Sequence, residues 1–447
     1  MSMLLDIIVP ASCIYLLLLL SAAGPREIAI AGVLLVLTAL RAAWPGRRPS
    51  GRSRLCRELA WLAALAGVKT LWVVWMMPDG ARLMADRDAA DLLSRRAYLI
   101  EKTASPAFGP ALMPAILPEV MRKEWAIVTL SMTSTALANI AFQFGDTRIE
   151  ALRVIDLLIQ RYLQPDLRSF EDHYWGEDAL ETLAGGNGHI GYLGHLNLML
   201  GARRMLGGDS GYDVLHRDVS AALARRILLS PAGGYLETFP GMIFVPDNSV
   251  VLASLALHDR IFGPTHAAAI ARWVEHTRSR LIDPETGLIA TMVSPHGGAR
   301  LGGARGSYAC WNSIYLPFFE PELARSQYSQ IRRHLLRTLP FGARAIREYP
   351  PGTNGRGDID SGPVVFGLST SGTGFCAAGA RFSGDAETLG GLLLTAETVG
   401  TTVPWAGTRR YVFAPLVGDA IMLAVKTARI WDSRYLGAAG AAGAPLP

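Results

Sequence analysis

Charge is scarce in this chain: only 18% of its 447 residues are Asp, Glu, Lys or Arg, against 50% hydrophobic residues. That balance is too apolar for an average soluble protein and requires part of the chain to sit in lipid. Cysteine is scarcer still. The four present (Cys13, Cys56, Cys310, Cys376) form no close pair and no metal-ligand spacing, which argues against zinc and redox motifs and sets the expected metal at none. Cys310 and Cys376 stay open as a disulfide, since separation in sequence fixes no geometry. The net charge of +5 does not imply nucleic acid, because nowhere after residue 80 do basic residues cluster with aromatics.

What is abundant is apolar sequence, and it is concentrated at the start. Residues 4–23, 28–44 and 59–77 are uncharged or nearly so, each about long enough to cross a ~30 Å hydrocarbon layer as a helix. Lys69 interrupts the third run, where its ammonium can snorkel or face another helix. The opening Met1-Ser-Met-Leu-Leu-Asp6 lacks the positive region of a cleaved signal peptide. Arg47, Arg48, Arg52, Arg54 and Arg57 lie between the second and third runs, and the positive-inside rule keeps that loop cytoplasmic. Three crossings then place the rest outside. The expectation is a multi-pass protein of the bacterial inner membrane, anchored by residues 1–80, with a large periplasmic domain over 86–435 and a disordered Ala/Gly/Pro tail at 437–447.

Within 86–435, apolar residues recur at i, i+3 and i+4 between turns rich in Gly, Pro and Asp. This spacing predicts helices over 125–144, 149–162, 195–206, 214–228, 249–261, 266–281, 321–339, 364–381, 385–399 and 418–431. Alternating runs such as 287–293 are too short to support much β structure. Some ten to twelve antiparallel helices with long loops between alternate pairs fit an all-α fold, an (α/α)6 toroid or barrel preceded by three transmembrane helices.

Three loops are too rich in Gly, His, Asp and aromatics to be plain connectors. The first runs from Glu171 to Asp178, with Trp175 a candidate platform, and on through Gly185-Gly-Asn-Gly-His-Ile-Gly-Tyr192 to His195 and Asn197. Its glycines let backbone approach a ligand and His195 opens a helix, although His195 and Asn197 serve equally as capping or core groups. The pattern matches neither dinucleotide nor phosphate-loop motifs. The second, 235–248, places Glu237 among Tyr, Leu, Phe239, Phe244 and Pro, an apolar setting that raises a carboxyl pKa. It ends in Asp247 and Asn248, which read either as site residues or as helix caps. The third, 349–363, sets Asp358 and Asp360 beside Arg356, either a paired acid or a helix cap; it offers too few oxygens in order for calcium.

The series Gly194-His-Leu-Asn-Leu-Met-Leu-Gly201, Pro246-Asp-Asn-Ser-Val250, Leu257-His-Asp-Arg-Ile-Phe-Gly263 and Leu281-Ile-Asp-Pro-Glu-Thr-Gly-Leu288 resembles, in order and spacing, the linalool dehydratase/isomerase family. The similarity runs from about Lys123 to Lys426. It implies an (α/α)6 barrel whose oligomeric members bind an isoprenoid alcohol in an apolar cavity and add or remove water without metal or organic cofactor. His195 matches the family's active-site histidine, Trp311 its cavity tryptophan, and its tyrosine falls near Ser307 and Tyr308. The family's two reactive cysteines fall at Leu236 and Asp247, so the thiol-dependent chemistry is excluded here. Its acid from a neighbouring subunit has no counterpart beyond Glu101.

Two functions follow as expectations. One is a lyase or isomerase, or a cyclase, using carboxylate and His acid–base chemistry on an isoprenoid or other apolar allylic substrate, with Glu237 as donor, Asp247 as acceptor and His195 orienting water. Tyr192, Phe239, Phe244, Asn248, Tyr308, Trp311 and Trp175 would hold the substrate. The other is a glycoside hydrolase or lyase acting on an envelope polysaccharide through Glu237, Asp247, Asp358 and Asp360. Either way His195, Glu237, Asp247 and Asp360 should converge at one end of the barrel, with Trp311 in the same cavity. Neither needs a cofactor; expected partners are the membrane, a lipophilic small molecule or a glycan, and a second copy of the chain.

Overall fold

The computed structural model describes residues 80–431 apart from Asp209. The three apolar runs, the arginine loop and the tail lie outside the described residues. Fifteen α-helices dominate those described. After a short α1 (Gly80–Met84) they alternate between two layers. The inner helices are α3 (Glu119–Gln143), α7 (Ile190–Leu206), α9 (Val245–Phe262), α11 (Gly306–Phe319), α13 (Thr370–Phe382) and α15 (Leu416–Lys426). Each packs on the next and α15 closes on α3, so they form a ring. Around it lie α2 (Ala89–Thr103), α4 (Arg148–Tyr162), α8 (Asp213–Leu229), α10 (Ala267–His276), α12 (Pro321–His334) and α14 (Ala386–Gly400). The arrangement is α/α-barrel-like. Two single-turn helices, α5 (Pro165–Arg168) and α6 (Asp172–Trp175), sit in one loop.

Burial explains the layers. The inner helices are apolar nearly all round because they are covered on every side, whereas α12 carries its apolar residues on one stripe facing the ring. Helix α3 is long and apolar enough to cross a membrane, yet 89% of its most apolar stretch is buried inside the protein. Close approach of α7 and α9 depends on Gly194 and Gly201, seven residues apart on one face. A Cβ on Gly201 would come within 2.5 Å of the Leu257 side chain.

The turns from inner to outer helices are short, and this forces antiparallel neighbours. The connections from outer to inner helices, 104–118, 163–189, 230–244, 277–305, 335–369 and 401–415, are long and therefore gather at one end. All three loops singled out from sequence belong to this end. Three small antiparallel sheets stiffen it: β1–β2–β3 (Ile243–Phe244, Met292–Val293, Arg300–Leu301), β4–β5–β7–β6 (Leu336–Thr338, Arg344–Arg347, Leu368–Ser369, Val364–Val365) and β8–β9 (Thr402–Trp405, Thr408–Tyr411).

Several expected boundaries move. Residues 364–369 form a hairpin of two short strands rather than helix, and α12 stops at His334 because the chain turns into β4. Helix α7 starts at Ile190, not His195, and its Gly191 and Gly194 let Glu171 and Val251 approach closely instead of breaking it. Helices α2 and α11 were not anticipated. Cys310 and Cys376 are buried, unbridged thiols.

Candidate active site

Glu124, His195, Trp311 and Phe375 each lie about a turn and a half inside their inner helices, α3, α7, α11 and α13, which puts them at one depth below the mouth. The His195 ring packs edge-on to Trp311 with centroids 6.4 Å apart, and Trp311 meets Phe375 at 4.9 Å and Tyr315 at 5.6 Å. His195 Nδ1 is 2.9 Å from Ser131 Oγ, which leaves Nε2 for a ligand. Burial lowers the His195 pKa to about 4, so the ring is neutral near pH 7.

Asp247 and Asp360 lie above this layer, with Glu124 beneath them. Asp247, in the first turn of α9, accepts from Thr238 Oγ1 at 2.8 Å; burial, opposed by that bond and reinforced by Asp360 and Glu171, pushes its pKa up to about 7. Glu124 is pushed up to about 8, by burial first and then by the charges of Asp360, Asp247 and Glu171. No arginine or lysine is among the charges acting on Glu124 or Asp247. Both are only half-buried by area, yet protein crowds them closely enough to strip most of their solvation. Asp360 accepts from Tyr308 Oη at 2.8 Å, and burial and Asp358 outweigh that bond to raise its pKa. Aromatic rings line the approach. Tyr174 stacks on Phe239 at 4.5 Å, and Phe244 faces Tyr308 at 6.0 Å.

One side of the mouth is fixed by a clamp. His189 Nδ1 lies 3.0 Å from Glu171 Oε2 and its Nε2 3.0 Å from Glu177 Oε1, while Glu171 Oε1 accepts from Tyr192 N at 2.9 Å. His189 carries a left-handed backbone (φ +50°), a conformation that a non-glycine residue holds only when its surroundings enforce it. Burial disfavours the imidazolium, but the two glutamates overcome this and raise the His189 pKa. The opposite side is held by Arg305, which binds Glu348 at 2.7 Å and also Asp358.

Several expected site residues lie elsewhere in role. Tyr192 is fully buried, its ring 4.8 Å from Tyr162 and its hydroxyl on Tyr162 O, so it is core. Asn248 is saturated by the backbone of Leu236 and Phe244 and pins the 235–238 loop. Asp358 is paired with Arg305, not Arg356, and accepts from Ser361 N; burial is overcome by that guanidinium, and its pKa falls below the usual range. Trp175 packs on His189 at 4.9 Å. Glu237 is half-buried in the loop beside Thr238, with its backbone against Gly188, where a Cβ would collide. Glu101 is exposed and paired with Lys102. Glu124, Glu171, His189 and Arg305 were missed. Glu171 and His189 belong to the first of the three loops singled out from sequence, whereas Glu124, near the start of an apolar helix, carried no local signal.

A family model described as linalool dehydratase/isomerase matches residues 217–412, which agrees with the resemblance drawn from the motifs. The matched stretch contains Glu237, Asp247, Tyr308, Trp311, Asp358 and Asp360; Glu124, Glu171, His189 and His195 precede it. The match supports an enzyme of the lyase/isomerase kind. Among solved structures, the chain is similar to an unsaturated glucuronyl hydrolase specific for heparin, with 12% identity over 77% of this chain and 95% of that one and a TM-score of 0.48. It is also similar to a glycoside hydrolase of family 105 from C. acetobutylicum ATCC 824, with 12% identity over 78% and 99% and a TM-score of 0.47.

Proposed function

We propose that the mouth of the barrel is the active site of a cofactor-independent lyase or isomerase acting on an apolar allylic alcohol of the isoprenoid type. The observation that carries this reading is the gathering of Glu124, Asp247 and Asp360 without a lysine or arginine to neutralise the first two. A carboxyl whose pKa stands near 8 is still protonated at neutral pH and can donate, while one near 7 is available as an anion to accept. Glu124 gives its proton to the substrate hydroxyl and the C–O bond breaks to release water. The resulting allylic cation is held among the rings of Tyr174, Phe239, Phe244 and Trp311. Asp247 or Asp360 then removes a proton from the adjacent carbon, forming the new double bond. The reverse sequence hydrates an alkene. Neutral His195, with Nδ1 engaged by Ser131, offers Nε2 to the departing or entering water.

This assignment moves the donor from Glu237 to Glu124, and keeps Glu237 as a group on the loop that positions Asp247 through Thr238. The three apolar runs before residue 80 would bring the domain to a bilayer, where such substrates dissolve, and the arginine loop would put it on the periplasmic side. Product analysis of the full-length protein incubated separately with C10 and C15 allylic alcohols and with unsaturated oligosaccharides tests the proposal. Water loss or double-bond migration that disappears in Glu124→Gln is the expected result. Cleavage of the oligosaccharides with inert alcohols would replace this reading with the glycan one.

A further inference from the structure

At the opposite end of the barrel, the short turn between α9 and α10 brings together His258, Asp259 and His266. One potential ligand atom from each lies within 4.8 Å of the others. His266 Nδ1 is 2.7 Å from Asp259 Oδ1, and His258 Nδ1 is 3.7 Å from the same oxygen, beyond hydrogen-bond reach. His216, from the first turns of α8, adds a fourth ring, 4.9 Å from His258 between centroids, and His258 lies 4.6 Å from His266. Phe262 covers both His216 and His258, at 5.8 and 4.8 Å.

The second observation is electronic. His216 is 1% exposed and His258 4%, and all four of their ring nitrogens are buried without a hydrogen-bond partner. Buried polar atoms are nearly always satisfied, and an imidazole presents one donor and one acceptor that each need a partner. Four orphaned nitrogens beside a carboxylate therefore need an explanation that packing does not supply.

We infer that His258, Asp259 and His266, with His216 packed beside them, form a binding site for a late first-row divalent metal ion, zinc foremost. Imidazole nitrogens with one carboxylate oxygen suit such an ion, and three protein donors leave the fourth tetrahedral position to water or to the neighbouring His216. Bonds of about 2.0–2.1 Å place tetrahedral donors about 3.4 Å apart, so donors up to 4.8 Å apart have to close by up to about 1.4 Å around the ion. The metal takes the place of the proton shared by His266 and Asp259. It ties α8, α9 and the start of α10 together on the side of the barrel away from the carboxyls. Sequence spacing hides this site, because His216 is remote in the chain and His258 and Asp259 are adjacent.

The test uses the full-length chain, stripped with a chelator and titrated with zinc sulfate against a chromophoric competitor, then with cobalt chloride. One equivalent of zinc per chain, a visible cobalt spectrum of four-coordinate type, and at least tenfold weaker binding in His258→Gln and His266→Asn are expected. Absence of binding by the wild-type chain, or binding unchanged in both variants, overturns the site. Should a variant lose its helical circular dichroism, X-ray absorption of the zinc-loaded wild type decides. Imidazole scattering from two or more ligands upholds the site, and its absence rejects it.

Discussion

Two groups of buried acids stand in this barrel, and they are built on opposite plans. In the wall between α2, α14 and α15, Asp91 and Glu397 meet Arg95 and Lys426. Arg95 binds Asp91 at 3.0 Å and Glu397 at 2.8 Å, and Lys426, with no exposed surface, reaches the same carboxyls at 3.1 and 2.9 Å. Tyr411 adds a hydroxyl to Glu397 at 2.7 Å. Burial raises both acids, but the two cations overcome it, and both carboxyls end below their ordinary values. In the mouth, Glu124 and Asp247 have no such cation and end far above theirs. Acids paired with cations lock a structure and surrender no proton near neutrality. Acids left unpaired keep a proton that can be given away, and the fold bears the cost of their burial.

The largest effects should divide along this line. Glu124→Gln and Asp247→Asn should each lower turnover of an allylic alcohol by about 10²- to 10⁴-fold, the usual worth of a positioned acid or base, while urea unfolding shows the fold intact. Near wild-type rates in both variants would reduce the mouth to a structural curiosity. The wall should behave in reverse. Lys426→Met or Arg95→Leu leaves two buried carboxylates sharing one buried cation, with only the part-exposed Arg409 on Asp91 to help, at a cost of about 3–5 kcal/mol in unfolding free energy. A loss below about 1 kcal/mol in both would show that the wall network is not what holds α15 to α2.

How much of this contrast was legible in the sequence depends on what carries it. Helical periodicity located the helices because the outer ones need an apolar stripe, and the ordered Gly-His-Leu-Asn and Asp-Asn-Ser motifs marked α7 and α9. Helix starts were misplaced where glycine serves close packing, as at Gly191 and Gly194. Asp247, Asp360, Tyr308 and Trp311 stand at the long-loop end because the loops holding or preceding them had visible composition. Glu124 did not, since a single glutamate beside Trp125 looks like any surface residue at a helix start. Two of the acids that act on it, Asp247 and Asp360, lie more than a hundred residues away. The same holds for the wall: Asp91 and Glu397 are 306 positions apart in numbering, and no local pattern pairs them.

A smaller effect separates the two groups by pH. For an acid whose folded pKa exceeds its unfolded one, the native state holds the extra proton. The stability this gives is complete below the unfolded value and disappears as pH rises through the folded value. Glu124 should therefore make the protein less stable as pH climbs from about 4.5 toward about 8, at a rate of at most about 1.4 kcal/mol per pH unit, reduced by whatever solvent reaches the carboxyl. Denaturant midpoints measured across that range should fall for wild type and fall less steeply for Glu124→Gln, the remaining slope coming from Asp247 and Asp360. The wall acids have lowered values, so their contribution is lost only in the acid range. An equally steep fall in Glu124→Gln would assign the pH dependence to other groups.

The smallest expected effect lies inside the mouth, at the bond from Tyr308 to Asp360. Burial raises the pKa of Asp360, Tyr308 opposes the rise by donating to the carboxylate, and Asp358 adds to it. A hydrogen bond to a charged group is worth about 1.5–3 kcal/mol when fully buried, and much less here because Asp360 is exposed by area although protein crowds its carboxyl. Tyr308→Phe removes the donor and keeps the ring that faces Phe244 and Arg305. Without that bond the anion is less favoured and the pKa of Asp360 moves further up. If Asp360 accepts the proton, the acidic limb of the kcat/KM profile should move to higher pH by up to about one pH unit, with the plateau rate changed less than in Asp247→Asn. If the limb stays in place while the plateau falls, Tyr308 acts on the substrate directly. The acceptor role would then belong to Asp247 alone.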